Sequence, residues 1–389
     1  MIQTIAVQGF RSLRELVLGL GPVTLVTGAN GSGKSSLYRS LSLLAETASG
    51  NLIGSLARQG GLQSVLWAGP ENISQSMRTG EVPVQGKARR VKPVALQLGF
   101  ATDELGYLVD VGLPTPRHSL FAQDPEIKRE LVFGAPVMRP ASLLVRRHNA
   151  QVDVRDGGWQ RAVEDMNTRL SMLGELADPT SYPELLAIRH LVRSWRFYDA
   201  FRTDALAPAR QPQVTTWTPV MADDGSDLLP ALGTIMESAF AEPLHLAIAT
   251  AFPGGGLQLN DQGRRLELAF TQHGLLRPLA AEELSDGTLR FLLLAAALLS
   301  PRPPGLLVLN EPETSLHPDV LPALAGLVVA ASRRTQVVVV SHSQILAQHL
   351  ARELGDGLVH HELTKDTGET VVSGREGLFD APLWNWGHR

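Results

Sequence analysis

Eight residues near the amino terminus, Gly28-Ala29-Asn30-Gly31-Ser32-Gly33-Lys34-Ser35, constrain this chain more than any other stretch. They satisfy G-x-x-x-x-G-K-[ST] and stand between the apolar run Val23 to Val26 and a segment with Leu37, Leu41 and Leu44 on one helical face. The first reads as a buried strand and the second as an amphipathic helix, the context a phosphate-binding loop needs. Glycines let backbone wrap around an anion, and the N–H groups at a helix start point towards it. The motif predicts a nucleotide site in which Lys34 meets the β- and γ-phosphates and the Ser35 hydroxyl completes a Mg²⁺ shell.

Three segments near the other end of the chain carry matching chemistry. Leu306 to Leu309 reads as a buried strand running into Asn310-Glu311-Pro312-Glu313. Beside a phosphate loop, such a strand end holds one residue that orders Mg²⁺ and a second that polarises the attacking water. Asn310 is therefore a candidate metal residue together with Ser35, and Glu311 a candidate general base. Leu284-Ser285-Asp286-Gly287-Thr288 precedes a helical run to Leu299, so its N–H groups and the Ser285 hydroxyl form either a second anion-binding helix start or an ordinary cap. A third apolar run, Val337 to Val340, ends in Ser341-His342-Ser343.

Taken in order, a GFRSL start (Gly9 to Leu13), GANGSGKSS, LSDGT, LNEPETSLHP and VVVSHS resemble an ABC-type ATPase of the RecF, SMC and OLD group. More narrowly, the chain resembles the RecF-like AAA-family ATPases. The likeness covers residues 1–45 and 275–350, and Trp195 to Tyr198 with Phe201 to Asp204 extend it into the middle. In that family two heads join head to tail, each ATP lying between the Walker A loop of one and the signature loop of the other. The resemblance implies ATP and Mg²⁺ as cofactors. It implies that Asn30, Gly31, Ser32, Gly33, Lys34, Ser35 and Ser36 bind the nucleotide, with Arg11 at the α-phosphate or ribose. Ser285, Asp286 and Gly287 would reach a γ-phosphate in trans, and His342 would act as the switch histidine beside Glu311. It also implies an ATP-dependent homodimer acting on DNA or on a DNA-processing protein, in repair, maintenance or defence.

The departures from that pattern are informative. Asn310 replaces the usual aspartate; it keeps a carbonyl oxygen able to accept from metal-bound water but removes a negative charge near Mg²⁺, so slow hydrolysis is expected. Asp286 stands where the transporter-like signature has glycine, Thr288 replaces Gln or Glu, and His317 occupies the region of the usual D-loop aspartate. Gln63 and Gln123 are the candidates for a Q-loop glutamine. An ATPase and a slow-turnover, ATP-gated module that regulates a partner effector such as a nuclease therefore both stay open. A transporter ATPase is disfavoured, since such heads carry a closer LSGGQ-like signature.

Composition narrows the field further. The absence of cysteine excludes disulfides, thiolate zinc sites and cysteine nucleophiles, as well as a Cys-x-x-Cys hook. The longest apolar run, Phe291 to Leu299, is far short of the roughly 18 residues a membrane span needs. With no basic n-region or apolar h-region at the start, a cytoplasmic protein with no membrane partner is expected. A net charge of −4 gives no global nucleic-acid signal. The basic stretch Arg78, Lys87, Arg89, Arg90 and Lys92, and the helically spaced Arg189, Arg193 and Arg196, read first as solvated or ion-paired faces. Trp195, Phe197, Tyr198 and Phe201 read as core. Glu362 and Lys365 have nuclease-like spacing, but no aspartate completes a metal site; both are expected on an exposed hairpin near Lys365 to Glu369. The residues after His342 are too few for a Toprim domain, so no nuclease is expected.

The expected fold class is α/β: a P-loop NTPase with an ABC-type head, built on a mixed, mainly parallel sheet with antiparallel N-terminal strands and an inserted α+β lid. The expected division is 1–134 and 246–389 for the two parts of the head and 135–245 for the lid. Helical patterns are read at Val163 to Leu176, Leu185 to Phe201 and Leu228 to Ser238, and a hairpin around His148-Asn149. No heptad pattern persists, so the middle is a compact insertion and not a long arm.

Overall fold

The computed structural model describes residues 1–70, 73–79, 81–83, 95–114, 119–134, 136–176, 178–375 and 380–388. Lys87, Arg89, Arg90 and Lys92 of the basic stretch lie outside them. The chain divides into two compact units. The first comprises Met1–Leu20, Gly28–Ser194 and His361–Arg389, the second Gly21–Thr27 and Trp195–His360.

The first unit is organised by an antiparallel sheet of eight strands. Its spatial order is Leu13–Gly19, Ile2–Phe10, Leu96–Thr102, Leu105–Gly112, Glu126–Gly134, Leu143–His148, Gln151–Arg155 and Trp159–Val163. The hairpin expected at His148-Asn149 is present, and Asn149 takes the left-handed conformation at its tip (φ +51°), which asparagine tolerates better than most residues. The helix Lys34–Ser49 buries Leu37, Leu41 and Leu44 as the sequence spacing requires, and stops at Gly50 (φ +74°). Trp384 and Trp386 pack on a cluster formed by Ala101, Leu108, Leu131, Phe133 and Met138.

The helix expected over Val163 to Leu176 is not formed. Trp159–Val163 is instead the last strand of the sheet, and only Met172–Glu175 is helical. The backbone in between spends its hydrogen bonds on the sheet. The Met166 amide donates to the Ala150 carbonyl (2.8 Å), and the Thr168 carbonyl accepts from the Ile127 amide (2.7 Å). Beneath it lies an ion pair fully removed from water, Arg147 Nη1 to Glu130 Oε2 at 2.7 Å. Glu130 also accepts from Tyr107 Oη and the Met172 amide, and Arg147 donates to the carbonyls of Asn149, Asn167 and Leu170. Burial, followed by the nearby Glu130 charge, raises the Tyr107 phenol well above its ordinary pKa and keeps it a donor.

The second unit holds parallel strands in the order Arg196–Tyr198, Leu306–Asn310, Gln336–Val340 and Val23–Gly28. Leu306 to Leu309 and Gln336 to Val340 are buried throughout, which explains why they read as unbroken apolar runs. The helices Asp286–Leu298 and Leu321–Ser332 share one core with Val23, Leu25, Leu307, Leu309, Val337 and Val339. Leu228–Met236 forms as expected, whereas the pattern read over Leu185 to Phe201 splits. The helix Pro183–Arg193 ends at Ser194, and Arg196–Tyr198 becomes a strand. Arg196 is therefore not on a helical face with Arg189 and Arg193; it stands 3.8 Å from Asp223. Trp195, Tyr198 and Phe201 are buried, as a core reading requires, whereas Phe197 is only half-buried.

Replacing Arg147 by Met should leave the Glu130 carboxylate buried without its counter-charge and cost about 3–5 kcal/mol, read as a lowered midpoint in urea denaturation. Replacing both residues by apolar ones of similar volume should recover most of that loss.

Candidate nucleotide site

The glycine loop, in the first unit, comes directly after the strand Val23–Gly28 in the chain and leads into Lys34–Ser49, the order the sequence predicts. Lys34 is buried, and its ammonium donates to the loop's own carbonyls, Gly28 O at 2.5 Å and Ala29 O at 3.2 Å. Asn30, Gly31 and Ser35 are exposed and Ser36 is half-buried, while Ser32 is buried with a hydroxyl that has no partner among the described residues. Gly31 and Gly33 have φ of +80° and +112°, a region costly for residues with a Cβ.

Gly33 is demanded twice over, because a Cβ there would lie 2.1 Å from Thr370 Oγ1. Thr370, buried in the strand Glu369–Val372, donates from Oγ1 to Ser32 O at 2.7 Å. Its amide donates to Ser12 O at 2.8 Å, its hydroxyl is 2.9 Å from Ser12 Oγ, and Lys365 Nζ donates to it at 3.2 Å. The carboxyl-terminal hairpin thus braces the phosphate loop against the Gly9-to-Leu13 turn. Arg78, from the basic stretch, is ion-paired to Asp366 and Glu369 of the same hairpin. Glu362 and Lys365 are exposed, as expected of hairpin residues.

Arg11 sits in that turn with a left-handed backbone (φ +50°), donating to Gln59 Oε1 at 3.3 Å. Burial, and then the charge of Arg39, lower its pKa. Gln63 and Gln123 are both exposed, Gln63 on the short helix Leu62–Val65.

In the second unit the strand register lines up the remaining groups. Tyr198 is opposite Leu309, Asn310 opposite Val340, and Val340 opposite Val26, so four parallel strands end at one level. Glu311 turns out of its strand in the left-handed region (φ +47°), with its amide donating to Val340 O at 2.7 Å. Strain of this kind costs roughly 1–3 kcal/mol and concentrates at functional positions. Its carboxylate lies 3.8 Å from His342 Nδ1.

Glu313, to which the sequence assigned no role, organises the histidine turn. Its buried Oε1 accepts from Ser341 Oγ (2.6 Å), the His342 amide (2.8 Å) and the Ser343 amide (3.1 Å), and it lies 3.3 Å from His342 Nδ1. Arg290, buried on the helix Asp286–Leu298, donates to the carbonyls of Asp199 (3.2 Å) and Glu311 (3.1 Å). Its burial lowers its pKa, while the charges of Asp199, Glu313 and Glu311 oppose that shift.

Asn310 Nδ2 donates to Asp199 Oδ1 at 2.8 Å, and Asn310 Oδ1 is buried without a hydrogen-bond partner among the described residues. An orphaned carboxamide oxygen beside a carboxylate suits a hard cation that keeps most of its water. No group of three His, Asp or Glu able to hold a metal occurs among the described residues, so a Mg²⁺ ion here would keep several waters alongside phosphate oxygens.

The signature residues also stand at a helix start. Ser285 Oγ accepts from the Thr288 amide at 3.1 Å, and a Cβ on Gly287 would lie 2.8 Å from Ser315 O. Asp286 is neutralised by Arg210, a buried arginine that donates to its carboxylate at 2.8 Å and to the carbonyls of Ala281, Glu282 and Leu284. His317 caps a short turn by accepting from the Asp319 amide at 3.3 Å.

Residues 170–347 match a family model described as "AAA domain, putative AbiEii toxin, Type IV TA system". A solved structure of an SMC head bound to the C-winged helix domain of ScpA aligns with a TM-score of 0.50 and 14% identity, covering 95% of this chain and 97% of that chain. The chain has the fold of an ABC-type, P-loop ATPase head. The SMC head domain from Thermotoga maritima aligns at 16% identity with a TM-score of 0.42, covering 95% of this chain and 97% of that chain. No curated protein matches the sequence. Among the described residues of the head, no helix is long and apolar enough to cross a membrane.

Sequence reasoning missed Asp199, Arg210, Arg290, Glu313 and Thr370. Asp199 carried a signal, as the acidic residue directly after Trp195 to Tyr198, and so did Glu313, the second acid of the Asn310-to-Glu313 strand end.

The brace on the phosphate loop is testable. Thr370→Val keeps the shape and removes the bond to Ser32 O; a loss of about 1 kcal/mol, roughly fivefold in Kd for a fluorescent ATP analogue, is expected, while Glu362→Ala on the same hairpin should leave binding unchanged.

Proposed function

We propose that the chain binds Mg²⁺·ATP on the loop from Asn30 to Ser36, with Arg11 beside it, and hydrolyses it with Glu311 and His342. Ser35 and Asn310 serve the metal. Glu311 takes a proton from water as the water oxygen bonds to the γ-phosphorus and the bond to the bridging β–γ oxygen breaks, releasing ADP and phosphate. His342, beside Glu311, responds to the γ-phosphate. Two copies close head to tail on ATP, and Ser285, Asp286 and Gly287 of one face the nucleotide of the other. The cycle acts on DNA or on a DNA-processing protein, in repair, maintenance or defence.

The single observation that carries this reading is the strained Glu311, standing beside His342 in a turn that the buried Glu313 fixes by three hydrogen bonds. A histidine that merely followed a strand would not need that support. The Arg210–Asp286 pair supports the signature role, because it removes the repulsion a bare carboxylate would present to a phosphate. The family description names a putative toxin of a toxin–antitoxin system, and the aligned SMC head is a complex with ScpA; both favour a protein partner. The missing charge at Asn310 favours a second reading, in which ATP switches a partner effector with little turnover.

Phosphate release should depend on Lys34 and fall roughly 100-fold or more in Glu311→Gln. ATP binding that persists in the parent protein without Lys34-dependent release would favour the switch over the ATPase. Light scattering of Glu311→Gln with ATP and Mg²⁺ is expected to give a dimer, and a monomer at saturating ATP contradicts the head-to-tail cycle.

A further inference from the structure

The four-strand register puts a second acidic residue where the strand leading to Glu311 lacks one. Tyr198 is opposite Leu309, so the next residue of each strand, Asp199 and Asn310, come side by side at the carboxyl ends. The Asn310 carboxamide is oriented by that neighbour. Nδ2 donates to Asp199 Oδ1 at 2.8 Å, which turns Oδ1 the other way, where it is buried and makes no hydrogen bond among the described residues. Asp199 is exposed, and its main chain is fixed by Arg290, which donates to the carbonyls of both Asp199 and Glu311.

We infer that Asp199 supplies the negative charge that Asn310 lacks, so that the two side chains together do the work of a single strand-end aspartate towards the nucleotide's metal ion. The inference rests on the Mg²⁺·ATP reading above and adds to it a residue from a different segment of the chain. Electrostatics gives the reason. A carboxamide offers oxygen to a metal-bound water but no charge, and a divalent cation that leaves several waters in place is held chiefly by charge. A carboxylate within hydrogen-bond reach of that carboxamide restores the charge at almost the same point. The bond from Nδ2 also polarises the amide and makes its oxygen a better acceptor. A purely structural bond between the two side chains would leave the orphaned Asn310 oxygen unexplained, since a buried acceptor with no partner costs free energy.

The test separates metal from nucleotide. A fluorescent ATP analogue is titrated with EDTA present and then across a Mn²⁺ series, and bound Mn²⁺ is followed by electron paramagnetic resonance. Asp199→Asn should raise the Mn²⁺ concentration needed for half-maximal enhancement by roughly 10–100-fold, with metal-free binding unchanged. The exchange variant Asp199→Asn with Asn310→Asp keeps the net charge and reverses the hydrogen bond. It should return the Mn²⁺ requirement to within a fewfold of the parent. An unchanged requirement in Asp199→Asn, or a loss that the exchange does not restore, overturns the inference while Lys34-dependent nucleotide binding stands. If Asp199→Asn fails to fold, the exchange variant alone decides, because a metal requirement as high as that of Asn310→Ala contradicts the role. Loss of Lys34-dependent binding in the parent protein would overturn the nucleotide reading itself, and this inference with it.

Discussion

The register of four parallel strands in the second unit decides where its chemistry can stand. Peptide hydrogen bonds pair Tyr198 with Leu309, Asn310 with Val340, and Val340 with Val26, so every strand runs out at the same height. Parallel strands present their last residues together at one sheet edge, the place where open α/β sheets hold their ligands. Asp199, Asn310, Glu311 and His342 are neighbours for that reason, although up to 143 positions separate them in sequence (342 minus 199). Sliding one strand by a single residue would turn its side chains to the other face and dismantle the group.

Support for these groups comes from buried charges that never face solvent. Glu313 gathers Ser341, His342 and Ser343 around one carboxylate oxygen, Arg290 ties the Asp199 and Glu311 main chains together, and Arg210 cancels Asp286. In the first unit Thr370 does the same for the glycine loop through Ser32 and Ser12. Each is a charged or hydroxyl group taken out of water and repaid by hydrogen bonds to backbone, which holds a turn in one conformation more firmly than apolar packing does.

Motifs with fixed local geometry were legible in the sequence. The glycine loop announces itself because loop, strand and helix are contiguous, and the short β-branched and leucine runs at Leu306 to Leu309 and Val337 to Val340 read as buried strands. The parallel sheet followed from the apolar runs, and the head fold from the family resemblance that the motifs carry in order. What could not be read depends on contacts between distant segments. Nothing in the hairpin sequence ties Thr370 to Ser32, 338 positions away, and Asn310 looks like a loss of charge until Asp199 stands beside it. The misread helix after Val163 has the same origin, since its amides and carbonyls found partners on Ile127 and Ala150 that helical periodicity does not reveal.

If the glycine loop and the acidic strand ends serve one nucleotide, a paramagnetic metal bound with ATP must come close to position 311. The absence of native cysteine makes this directly measurable, because Glu311→Cys carries a single spin label. With Mn²⁺ and ATP added, strong broadening of the label signal is expected, and it should vanish when Lys34→Ala is introduced. A label that Mn²⁺·ATP leaves untouched while Lys34 still governs nucleotide binding would contradict the shared site.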